Sequence, residues 1–94
     1  MALYLISYDI AEKNHDYQSL WDRLAALKAV KILYSEWLLK QPDTNVALDL
    51  ANDLAKHIMS GDSLLVQEVG ADAAWIKLKV SDDAMRSLLT AARF

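Results

Sequence analysis

Asp9 follows the apolar run LYLISY of residues 3–8 without a break. A carboxylate at the carboxyl end of a buried strand is aimed by a stiff backbone. It can coordinate Mg²⁺ or Mn²⁺, hard cations that take oxygen ligands and complete their shell with water. Two copies of the chain related by a two-fold axis would bring two Asp9 side chains to one ion. Alternatively, Asp9 only ends the strand, accepting bonds from the next backbone N–H groups. Tyr8 beside it, and Ser35 and Glu36 at a bend further on, are the other polar groups that would gather at that sheet edge. There Ser35 could hold a phosphate oxygen and Glu36 could add a second carboxylate, although a surface bend calls for polar residues in any case. The candidate catalytic set is thus Asp9, Tyr8 and Ser35, with Asp9 as the metal ligand.

Other chemistries are missing. The chain has no glycine-rich phosphate loop, no His-Glu-x-x-His, no cysteine nucleophile and no long basic run. His15 and His57 precede the first helical pattern and close the second, so both read as surface residues, His57 favoured by the helix dipole. Asp82 and Asp83 suit the start of a helix, and Asp49 with Asp53 form a repulsive i, i+4 pair unless a cation joins them. Tyr8, Tyr34 and Trp37 could stack on bases, but their nearest cations are Lys31 and Lys40, so packing explains them as well.

These residues are set in 94 amino acids, 54% hydrophobic and 24% charged, enough for one small domain spanning residues 1–94. With no cysteine, a disulfide-stapled secreted module is excluded and a cytoplasmic protein is expected. MALYLISYDI lacks the basic leader of a signal peptide, and no apolar run approaches the ~18–20 residues of a membrane span. The net charge of -3 falls wholly in the second half of the chain, which argues against a non-specific nucleic-acid coat. It leaves room for a nuclease that holds its phosphate through a metal.

Residues 3–8 predict a central strand. Tyr17, Leu20, Trp21, Leu24 and Leu27 recur at helical spacing up to about Lys28, with Asn14 or Asp16 as the cap. Residues 31–41 predict two short strands meeting near Ser35 and Glu36, a single bent strand being the alternative. Thr44 or Asn45 would cap a second helix from Val46 to Met59, ended by Ser60 and a left-handed Gly61. A strand over 62–69 follows, and AAWIKLKV at 73–80 predicts another, with Ile76, Leu78 and Val80 on one face. Ser81 or Asp82 would cap a short terminal helix. The order predicts an α+β, ferredoxin-like βαββαβ domain with an antiparallel sheet, both long helices on one face, and an extra strand at 74–80 plus a short helix. Tyr4, Ile6, Tyr8, Leu39 and Trp37 are candidates for the open face, which a homodimer burying Trp37 or Trp75 would cover.

LYLISYDI, the polar break and the DYQSLWDRL helix resemble the start of the CRISPR-associated adaptation endonucleases, the small partner of the CRISPR integrase. The resemblance is closer to a divergent, SinR-like branch of that superfamily, through the Trp-containing segment Ser35-Glu36-Trp37-Leu38-Leu39 and the late Ala74-Trp75-Ile76, and it covers most of residues 3–78. The resemblance implies a ferredoxin-like homodimer in which Asp9 binds Mg²⁺ or Mn²⁺ for phosphodiester hydrolysis. It implies single-stranded RNA or duplex DNA as substrate and an integrase-type protein as partner. Members usually follow the aspartate with arginines or lysines, where AEKNHDYQ offers Lys13. The virulence-associated protein D ribonucleases resemble this superfamily too. The alternatives are a non-catalytic dimeric scaffold or regulator and a small-molecule sensor.

Overall fold

The computed structural model describes residues 2–11, 16–42, 47–70 and 72–91. Along the chain run β1 (Ala2–Asp9), α1 (Gln18–Ala26), β2 (Val30–Leu33), β3 (Glu36–Gln41), α2 (Ala47–Ala55), β4 (Ser63–Val69) and α3 (Asp82–Ala91). The strands form one antiparallel sheet in the order β2-β3-β1-β4. This is the expected ferredoxin-like topology, extended by a C-terminal helix. Residues 31–41 form a hairpin, turning at Tyr34 and Ser35, rather than one bent strand. The capping roles expected of Asn14, Thr44 and Asn45 lie outside the described residues.

Strand alternation divides β1 between two apolar layers. Tyr4, Ile6 and Tyr8 pack with Leu39 of β3 and with Leu20, Leu24, Leu50 and Leu54, the buried stripes of α1 and α2. Leu3 faces the other way, with Ile32, Leu38, Met85 and Leu88, and there Trp75, Leu78 and Val80 close over the sheet. The assignment of Tyr4, Ile6, Tyr8, Leu39 and Trp37 to the open face is therefore reversed. They lie under the helices, and the second face is covered by the chain's own C-terminal segment and α3. Trp37 and Trp75 both pack within the chain, Trp75 also donating from Nε1 to Asp82 Oδ1 at 3.0 Å.

The segment over 74–80 is not a strand. Ile76 stands 85% exposed while Leu78 is half-buried, and Lys77 takes a left-handed φ of 54°, which breaks the pleat. A bond from Lys79 N–H to the Ile32 carbonyl, at 2.9 Å, anchors the segment beside β2. Covering the second face requires an irregular path, because an extended strand would carry every other side chain away from it. Ser81 then caps α3, its hydroxyl accepting from Ala84 N–H at 3.1 Å.

Both long helices are shorter than the apolar patterns suggest. Helix α1 ends in a Schellman turn: Ala29 N–H reaches the Leu24 carbonyl at 2.9 Å and Lys28 N–H the Ala25 carbonyl at 3.0 Å, with Lys28 at φ 67°. Helix α2 ends at Ala55, and the bonds from Lys56, His57 and Ile58 to residues three back tighten its final turn. No glycine among the described residues has positive φ, so Gly61 does not form the expected left-handed cap.

Arg23 on α1 clamps Asp53 on α2 with Nε at 3.0 Å from Oδ1 and Nη2 at 2.6 Å from Oδ2. This supplies the cation that the Asp49 and Asp53 pair called for. The Ser19 and His57 side chains hydrogen-bond across the same helix pair.

Two outcomes follow from these contacts. A β-carbon in the left-handed region is unfavourable, so Lys28→Gly should stabilise the fold by about 0.5–1 kcal/mol, the relieved strain outweighing glycine's extra unfolded-state entropy, as read by urea denaturation. The Arg23 bonds hold the Asp53 carboxyl below its ordinary range, with burial opposing them. The clamp's stabilisation should be fully present above the ordinary aspartate value of about 3.9 and disappear as pH falls through the depressed folded value. Asp53→Asn should therefore be less stable than the parent at neutral pH and converge with it in strong acid.

Candidate functional site

The carboxyl end of β1 opens into a cavity of about 610 Å³ between α1 and the β2–β3 hairpin. Tyr8, Asp9 and Ser35 all line it, so the fold gathers the three candidate catalytic residues from two distant segments. A backbone bond from Tyr8 N–H to the Ser35 carbonyl, at 3.1 Å, joins the strand end to the hairpin turn. Asp9 is exposed and also borders a shallower depression beside Ser7, Ser63 and Leu65. Glu36 does not line the cavity; it pairs with Ser7 in the register, on the sheet face that Ser7 shares with Asp9.

Lys31, Trp21 and Tyr34 also line the cavity, with Ile10 and Tyr17. The Lys31 ammonium lies 5.3 Å from the Tyr34 ring centre, 5.8 Å from Trp21 and 6.0 Å from Trp37, a cation–π arrangement that holds one positive charge at the mouth of the site. Lys31 is in register with Trp37 and shares its face on the helix side, alternation sends Ile32 into the opposite layer, and the β2–β3 pairing becomes irregular between Lys31 and Leu33. Sequence spacing could not bring Lys31 to Trp21, because the contact depends on how α1 lies across the sheet.

The aromatic residues divide by accessibility. Trp37 Nε1–H donates to the Tyr8 hydroxyl oxygen at 2.9 Å, and Tyr8 stacks obliquely on Trp21 at 5.4 Å between ring centres. Tyr17 packs on Trp21 at 6.3 Å and donates its hydroxyl to Asp62 Oδ2 at 2.7 Å. Tyr34, at the hairpin turn, is 78% exposed. Burial pushes the Tyr8 phenol above its ordinary value of 10.0; the Trp37 bond opposes that rise and Tyr34 adds to it. Tyr8 is therefore a neutral hydroxyl at physiological pH, suited to hydrogen bonding rather than to proton abstraction.

Asp62 braces the loop that follows Asp9. One carboxylate accepts from Ala11 N–H at 2.8 Å, from Met59 N–H at 2.8 Å and from Tyr17, tying the β1–α1 connection to the approach to β4. Its link to Ala11 and Tyr17 has no local sequence signal, since they lie 51 and 45 residues away in the chain; Met59 is its local partner. His57 pairs with Ser19 away from the cavity, and His15 and Lys13 lie outside the described residues.

Among the described residues Asp9 is the one carboxylate lining the cavity, and there is no group of three or more metal-ligating side chains. A water-rich Mg²⁺ or Mn²⁺ site can be built on one or two carboxylates with phosphate oxygens as further ligands. Asp9 and Ser35 suit that chemistry by donor type, and a second copy's Asp9 would strengthen it. No family model matches the chain, and no solved structure matches it significantly. Among the described residues, no helix is long and apolar enough to cross a membrane.

The Tyr8–Trp37 contact has a measurable consequence. Removing the indole donor in Trp37→Phe takes away the influence that lowers the Tyr8 value, so its phenol should titrate still higher than in the parent. Ultraviolet titration of the parent and variant checks this, and an unchanged or lower value would contradict the assignment.

Proposed function

We propose that this chain is a nuclease-like phosphodiesterase that depends on a divalent metal. It works as a cytoplasmic homodimer of the kind resembled by the CRISPR-associated adaptation endonucleases. The observation that carries the reading is the meeting of Asp9, Tyr8 and Ser35 with Lys31 around one cavity at the end of the central strand. Asp9 of both copies would hold Mg²⁺ or Mn²⁺. When bound, the ion would polarise the phosphate and activate water. Ser35 donates a hydrogen bond to a phosphate oxygen, and Lys31 offsets phosphate charge. The neutral Tyr8 hydroxyl, which already accepts from Trp37, has its own proton to donate to the substrate. RNA or DNA strands are the proposed substrates and an integrase-type protein the proposed partner.

A second reading is a dimeric scaffold or regulator that keeps the fold without the chemistry. Asp9, the one carboxylate that the described residues of each chain bring to the cavity, favours it. The two separate on Asp9→Asn. With Mg²⁺ or Mn²⁺ present, the parent should cleave single-stranded RNA or duplex DNA, and the variant should lose cleavage while still sedimenting at twice the 10.6 kDa chain mass. A parent with no metal-dependent cleavage would favour the scaffold. A monomeric parent would remove the two-carboxylate site.

A further inference from the structure

We propose that the same cavity is a binding subsite for one unpaired nucleobase, which stacks on Tyr34 while its phosphate meets Lys31, so the protein selects single strands over duplexes. The proposal rests on the reading of this cleft as a phosphodiester site and narrows its substrate class.

Three observations lead to it. The cavity, about 610 Å³, falls within the range that accommodates a small organic ligand, and a nucleoside monophosphate is of that size. Its wall combines an aromatic ring with an ammonium 5.3 Å away, the pairing that takes a base by stacking and its phosphate by charge. The remaining rings are engaged in packing: Tyr8 bonds to Trp37, Tyr17 bonds to Asp62, and Trp21 lies against both tyrosines. Tyr34, 78% exposed on the hairpin turn, is the ring with a broad face toward solvent.

Charge decides between single strand and duplex. A coat for duplex DNA needs many phosphate contacts, whereas the chain carries a net -3 and, among the described residues, Lys31 is the cation lining this cavity. Affinity must therefore come from a stacked base, and a base is free to leave its neighbours at low cost only when it is unpaired. Without metal, the Asp9 carboxylate repels phosphate, which sets the phosphate on the Lys31 side and leaves the carboxylate to accept N–H groups from the base edge.

Binding is measured with excess chelator, so that no metal-dependent cleavage interferes, by fluorescence anisotropy of labelled single-stranded RNA, single-stranded DNA and a duplex of the same sequence. At least one single strand should bind tenfold or more tightly than the duplex. Tyr34→Ala should weaken that binding by roughly tenfold or more, and Tyr34→Phe should restore it. Lys31→Gln should reduce the salt dependence by about one ion. Circular dichroism confirms that each variant is folded. Equal affinity for duplex and single strand, no detectable single-strand binding, or a folded Tyr34→Ala protein that binds like the parent overturns the proposal. Tyr34-dependent binding by a parent that never cleaves would sustain the subsite and sink the hydrolytic reading instead.

Discussion

Because β1 carries Tyr4, Ile6 and Tyr8 on one face and Leu3 and Leu5 on the other, neither side of the sheet can be left to water. Leaving a large aliphatic side chain exposed forfeits roughly 1.5–3 kcal/mol, and several lie on each face. Helices α1 and α2 cover the first. The second is covered by α3 and the irregular segment leading to it, which places Trp75, Leu78 and Val80 over Leu3 and Leu38. This double cover also gives the site its rigidity, since Asp9 ends a strand hydrogen-bonded on both edges and packed above and below.

The site that results is electrically modest. Among the described residues it sets one carboxylate, Asp9, and one ammonium, Lys31, among neutral hydroxyls and rings. In such a setting geometry counts for more than field strength: a phosphate finds no general attraction and must be placed by particular contacts. The cation–π contacts matter here because they hold the flexible Lys31 side chain at one edge of the cavity.

Residue pattern made some features legible and left others hidden. The uninterrupted apolar run before Asp9 marked the central strand, and the three-and-four spacing marked α1 and α2. The same run concealed which face the helices would take, because LYLISY is apolar at alternating positions on both sides. Alternation also misread 74–80: Ile76, Leu78 and Val80 fit a pleat on paper, but the left-handed Lys77 breaks it. Tyr8, Asp9 and Ser35 could be gathered by reasoning about strand ends. Trp21 and Lys31 could not, since a helix stripe and an edge strand meet only through tertiary packing, and Asp62 joins its own loop to the distant β1–α1 connection, which no local motif signals.

The Schellman turn at Lys28 fixes more than the end of a helix. From Lys28 the chain needs only Ala29 before β2 begins, so the phase in which α1 stops becomes the phase in which β2 starts. Strand side chains alternate, and β2 sends Lys31 to the cavity and Ile32 to the opposite layer. A single residue inserted at this junction and carried into the strand, rather than absorbed by a longer turn, would exchange those destinations, taking the ammonium out of the cavity and putting a branched hydrocarbon in its place. The connection is thus a parity constraint: its length can drift by two residues more safely than by one, and the charge of the site is encoded partly in a count.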